Sequence, residues 1–238
     1  GYFYPSNEPF QLSHVFPSHK LVLANNLDQG SNRDGIAGFI VQSLAFLFGT
    51  KLQFWDWHLE GRIPVRIDNI DFSQLPKSLN IFFHKAIHTW NQYDPTEKRR
   101  ILSILFVHSV AGAIEWDWQQ FMLEYMVTDA CYKMIAENKK DRKTKNRLKK
   151  PFEVLCDRFG LIEDSARFRH FKALRDKLFH ETLWHGGHVF TYRSSESTYA
   201  PIFLRRFNNR VITGILCGKC SYVGSRWTSL SPASFSLD

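Results

Sequence analysis

Apolar residues recur every three or four positions through most of the chain, and that period predicts helices. The run from about Asp34 to Phe48 is apolar on nearly every side, so a buried helix is expected there, with Gly49 as its stop. KLQFWDW (51–57) and RIPVRI (62–67) alternate instead around HLEG. They predict a small β-hairpin whose second strand, carrying Pro64, belongs at an edge. A helix from about Pro76 to Tyr93 should bury Ile81, Phe82, Ala86, Ile87 and Trp90. The clearest start signal is Asp94-Pro95-Thr96-Glu97: an acceptor for free backbone N–H groups, a residue that needs no N–H, and a glutamate placed to complete a capping box. That helix continues through Ile101, Ile104, Leu105, His108 and Val110 until Gly112 and EWDW (115–118) interrupt it. The next runs from about Gln119 to Glu137, with Phe121, Leu123, Tyr125, Met126 and Ala130 as its apolar positions. Pro151 opens a short helix that Gly160 closes. Asp164-Ser165 then caps a helix over ARFRHFKALRDKLFHETLW (166–184), built on Phe171, Leu174 and Leu178. A loop, HGGHVFTYRSSES (185–197), leads to a last helix from about Pro201 to Leu216.

The fold class predicted is therefore mainly α, a helical bundle with a small N-terminal β-hairpin. Two parts are expected: an N-terminal segment over 1–72, the remnant of a larger N-terminal region, and a helical domain over 73–238. The 238 residues are enough for a substantial core. A start at Gly1 rather than methionine predicts a processed chain or a piece of something longer, with a further domain or partner protein. The two most apolar stretches, 36–49 and 101–114, are too short and too interrupted to cross a bilayer, so no membrane association is expected. Four cysteines are too few for a disulfide framework at this length, which points to a reducing cytoplasm.

Charge sharpens the picture more by its placement than by its size. The chain carries a net charge of +8, and residues 139–150 (KKDRKTKNRLKK) alone hold eight Lys or Arg against one Asp, a net of +7. Lys139, Lys140, Arg142, Lys143, Lys145, Arg147, Lys149 and Lys150 read either as a solvated connection between helices or as a landing strip for a phosphate backbone.

The stretch RDKLFHETLWHGGH (175–188) carries the candidate chemistry. Asp176 and His180 stand at i and i+4, so the carboxylate can hydrogen-bond the imidazole and orient it as a general base. Arg175 adds a permanent forked donor suited to phosphate and to the charge of a phosphoryl-transfer transition state. At 100° per residue, however, Arg175 and His180 lie about 140° apart around a straight helix. Two remedies are open: a distorted helix end, or a second subunit presenting its own copy across a two-fold axis. Spacing alone does not identify the site, because sixteen arginines and ten histidines would produce about two Arg-x4-6-His pairs by chance. A surface arginine and an ordinary satisfied histidine are the competing reading.

DPTEKRRILSILFVHSV (94–110), FMLEYMVTDACYKMI (121–135), FKALRDKLFHETLW (171–184) and LRRFNNRVITGIL (204–216), closing with Tyr222 and Gly224, together resemble the HEPN superfamily, specifically its Apea-like branch, over roughly residues 75–224. The resemblance implies an all-helical domain that dimerises, with an R-x4-6-H motif forming a metal-independent ribonuclease site at the dimer interface. It also implies service in prokaryotic defence or toxin systems. Carried over, Arg175 takes the motif arginine, His180 the motif histidine, and Asp176 the polar position after the arginine. The tyrosine that some toxin members carry two residues after the histidine is replaced by Thr182. Catalytically silent members of the superfamily make a binding module the alternative expectation. The partners implied are RNA and a second copy of the chain through the motif helix. No cofactor is implied.

Two further groups of residues carry chemistry. His185 and His188, with Cys217 and Cys220, could form a tetrahedral zinc site, or they are solvent-facing histidines and buried thiols. Trp116, Trp118, Trp184 and Trp227 could stack bases, or they belong to the core.

Overall fold

The computed structural model describes residues 33–49, 52, 72–73, 76–114, 116–137, 151–184, 187–188 and 199–238. Among them, eight helices and four two-residue strands follow in the order α1 (Ile36–Phe48), β1 (Phe72–Ser73), α2 (Pro76–Gln92), α3 (Pro95–Ala111), α4 (Asp117–Glu137), α5 (Pro151–Phe159), α6 (Ser165–Glu181), β2 (Leu183–Trp184), β3 (Gly187–His188), α7 (Ala200–Cys217), α8 (Ser221–Gly224) and β4 (Ala233–Ser234). The chain is a helical bundle, as the hydrophobic period predicts. The predicted hairpin over 51–67 and the basic strip over 139–150 lie outside the described residues, Leu52 excepted.

Local chemistry sets the boundaries. Gly49, at φ 61°, turns α1 off and returns its N–H to Ala45 and Phe46. Asp94 accepts from the backbones of Thr96 at 2.7 Å and Glu97 at 2.9 Å, while Glu97 Oε2 accepts from Asp94 N at 2.9 Å. The capping box is thus complete. Asp164 caps α6 by accepting from Arg167 N.

The bundle is centred on α7, which is buried from Ala200 to Leu216 apart from Ile202. Helices α2, α4 and α5 pack on it, and α1 packs on α3. Phe39, Phe46 and Leu47 of α1 share one core with the helices beyond residue 73. Trp227 is fully buried, stacks on Phe168 at 5.6 Å and 5°, and donates its indole N–H to Ile162 O at 2.7 Å. Two short ladders complete the fold: β1 pairs in parallel with β4, and β2 in antiparallel with β3.

The buried stripe predicted for α2 needs correction, and one of the apolar positions of α4 faces outward. In α2, Phe82, Ala86 and Trp90 are buried, but Ile81 is 42% exposed. In α4, Phe121 and Tyr125 are buried, whereas Met126 is 52% exposed. Each sits at the rim of its stripe, where a residue one helical step off the contact line faces outward.

Beneath the apolar core lies a polar one that joins α3, α4 and α7. Glu124, fully buried, faces His108 Nδ1 through Oε2 at 2.9 Å and accepts from Arg205 Nη1 through Oε1 at 2.7 Å. Asn208 Nδ2 donates to the same carboxylate at 2.8 Å, and Thr128 donates to Asn208 Oδ1 at 2.8 Å. His108 Nε2 meets Asn209 Oδ1 at 2.7 Å. Burial alone would raise the Glu124 pKa, but His108, Arg205 and Asn208 outweigh it and hold the carboxyl below its ordinary value. Further along α7, Arg206 reaches the carbonyls of Ser229, Leu230 and Ser231. Arg210 donates to Ser225 O at 3.1 Å over the Tyr222 ring. A central helix can carry so many polar residues because each finds a partner within the bundle.

Candidate functional site

Helix α6 presents Arg175, Asp176 and His180 on the outside of the bundle. Phe168, Phe171, Leu174 and Leu178 form its buried stripe, so Arg175 sits beside that stripe and His180 is exposed. The Arg175 side chain is one-third exposed and lies against α4, its guanidinium carbon 5.3 Å from the centroid of the Tyr125 ring. Its Nη1 stands 3.2 Å from Asp176 Oδ1, while its Nε is buried without a hydrogen-bond partner. Partial burial would lower the Arg175 pKa, but Tyr125, Asp176 and Asp129 outweigh it and raise the value, so the group is a permanent cation.

The surroundings of Arg175 extend along α4. Burial pushes the Tyr125 hydroxyl pKa up against the opposing effect of the guanidinium, which keeps it a neutral phenol. Crowding by neighbouring atoms raises the Asp129 pKa, with Arg175 and Lys133 pulling the other way. Tyr125, Asp129 and Lys133 stand at i, i+4 and i+8, one face of one helix. The sequence pattern marks Tyr125 as one of the apolar positions of its helix and does not single out Asp129 or Lys133. The i+4 spacing was the available signal, but nothing in it told which helix would lie opposite.

One expectation for the motif is corrected, and one of its two open remedies is not the one taken. Asp176 does not orient His180: its carboxylate pairs with the adjacent Arg175, and His180 has no hydrogen-bond or ion-pair partner among the described residues. Nor does α6 distort before the histidine. It stays helical to Glu181 rather than running on to Trp184, and ends at Thr182, whose N–H returns to Leu178 O at 3.2 Å. Thr182 holds φ 56° and ψ 29°, a left-handed conformation unusual for a β-branched residue. Leu183 and Trp184 then form the strand paired with Gly187 and His188.

The remaining candidates separate. Trp184 and Trp227 are core residues and cannot stack bases, and Trp184 packs on Phe121 at 5.2 Å. Trp116 stays 36% exposed, and Trp118 is half-buried. Cys217 and Cys220 lie at the C-terminal end of α7 beside Lys85, with burial pushing the Cys217 thiol up to about 12 and raising that of Cys220. His185 and the side chain of His188 lie outside the described residues. Among the described residues, no group of three His, Cys, Asp or Glu is arranged to hold a metal, and no helix is long and apolar enough to cross a membrane.

Comparison of the chain with family models, curated proteins and solved structures finds no match.

Proposed function

We propose that the chain is a metal-independent endoribonuclease of HEPN type, acting as a homodimer in a prokaryotic defence or toxin system. One observation carries the reading: a single helix end offers a braced, permanently charged guanidinium and a solvent-exposed imidazole at the motif spacing. In the proposed reaction, His180 of one copy takes the proton of a ribose 2′-OH and the oxygen attacks the adjacent phosphorus. Arg175 neutralises the charge that gathers on the non-bridging oxygens. The bond to the 5′-oxygen breaks, that oxygen receives a proton from the imidazolium of the second copy, and a 2′,3′-cyclic phosphate remains. Two copies answer the angular separation of Arg175 and His180 along a regular helix. The basic strip, Lys139 to Lys150, would draw RNA to the surface. A reducing cytoplasm is the compartment proposed for a chain whose four cysteines are too few for a disulfide framework at this length.

The second reading is a silent helical module that binds nucleic acid, a nucleotide or a partner protein. It is favoured by the pairing of Asp176 with Arg175, which leaves the imidazole without its expected orienting carboxylate.

The test is cleavage of mixed single-stranded RNA in the presence of EDTA, read as new 2′,3′-cyclic phosphate ends. The parent should cut, and H180A should fall by about 10²- to 10⁴-fold. Equal cleavage by folded H180A, or complete loss of parental activity in EDTA, overturns the mechanism.

A further inference from the structure

A groove of about 250 Å³ lies between the N-terminal half of α3 and the C-terminal half of α4, lined by Thr96, Arg99, Arg100, Ser103, Ala130 and Lys133. Side chains that end in three cations and two hydroxyls line it from two helices, their apolar stems making most of its surface and their polar ends its rim, and its lining holds no carboxylate. The N-terminus of α3 adds nothing here, because Asp94 already accepts from the N–H groups of Thr96 and Glu97. The side chains alone make the groove attractive to anions. Arginine forks match phosphate oxygens, and a lysine supplies a point charge beside them.

Position argues for a polymer rather than an isolated ion. Lys133 lines the groove and also acts on Asp129, which in turn acts on Arg175. Tyr125, the support under Arg175, lies eight residues before Lys133 on the same helix, about 12 Å along its axis. One face of α4 thus leads from the motif arginine to the cationic groove.

We infer that this groove is a phosphate-binding subsite for single-stranded RNA, gripping the backbone away from the phosphodiester that Arg175 addresses. The inference rests on the reading of the chain as an RNA-acting protein. It adds a second contact, made through charge and blind to base sequence. The structural alternative is a solvated junction of two helices whose cations merely keep the surface soluble.

The experiment measures binding rather than cleavage. The probe is a fluorescein-labelled 2′-O-methyl RNA 12-mer, which lacks the hydroxyl needed for cutting, titrated against the full chain from ~50 to ~300 mM salt. Loss of two phosphate contacts in R99Q/K133Q should lower the slope of log affinity against log salt by about 1.4, at about 0.7 per contact. R158Q/K219Q removes the same charge from exposed positions on α5 and after α7, and should change the slope much less. An unchanged slope in R99Q/K133Q overturns the subsite, and so does an equal loss in R158Q/K219Q. Parental cleavage rates in H180A would sink the catalytic reading while leaving this measurement standing. Failure of the parent to bind the probe would sink the RNA reading and the subsite together.

Discussion

Tyr125 seats Arg175: the guanidinium carbon stands 5.3 Å from the ring centroid, so a residue of α4 fixes where the cation of α6 points. A cation over an aromatic face at such a site is worth about 0.5–1 kcal/mol. Y125L should therefore lower kcat for RNA cleavage about 2- to 5-fold with KM little changed, whereas Y125F, which keeps the ring, should restore most of it. Equal losses in both variants would show that the hydroxyl, not the ring, does the positioning. R175K should remain impaired, because an ammonium cannot reproduce the fork.

Thr182 ends the motif helix in a left-handed conformation that glycine adopts without penalty. T182G should stabilise the protein by up to about 1 kcal/mol, seen as a melting temperature higher by about 2–4 °C. A lower melting temperature would show that the threonine side chain contributes more than its backbone geometry costs. Strain of this kind clusters at working sites. Cleavage by the stabilised variant therefore tests whether the abrupt stop after His180 matters to the chemistry.

Glu124 makes the folded state sensitive to acid. Its folded pKa is depressed, so the unfolded chain binds its proton more readily, and the contribution to stability is present above the ordinary value of 4.5 and lost as pH falls through the lower folded value. E124Q leaves His108 and Arg205 buried without their anion and should cost about 3–5 kcal/mol at neutral pH. Urea unfolding between about pH 3 and 7 should show a flatter acid limb for E124Q than for the parent. Parallel curves would remove Glu124 as the source of that dependence.

Gly214 is held to hydrogen by its neighbour. A β-carbon there would stand 2.6 Å from Phe159 Cδ1, a ring already packed in the core. G214A should destabilise by about 1–3 kcal/mol, because α5 must shift to admit one methyl group. Denaturant titration with an unchanged slope and an earlier midpoint would register it.

Local punctuation explains what was readable in the chain. Asp94 and Glu97 bond to backbone within the same turn, as does Asp164, so three or four adjacent letters contain the whole interaction. The polar core was opaque for the opposite reason. Arg205, Asn208, Asn209 and Arg210 resemble the wet side of a surface helix until their partners, Glu124, His108 and the carbonyl of Ser225, arrive from other elements. One signal was present. Five polar residues within 205–210 cover every side of α7, which no helix with one wet face requires. The candidate site was half legible in the same sense. Spacing and resemblance pointed to Arg175 and His180, but the support from Tyr125 joins residues fifty apart, and the bond between Arg175 and Asp176 took the carboxylate that spacing alone had assigned to the histidine.

The parallel pairing of Phe72 with Ala233 and Ser73 with Ser234 sews the last stretch of the chain to a point far upstream. Lys85 and Tyr222 then grip the carbonyls of Leu237 and Ser236, and Phe235 is sunk between Phe82 and Tyr222. The closing residues act as a keystone rather than a tail. Clipping the chain before Phe235 would open the bundle from within.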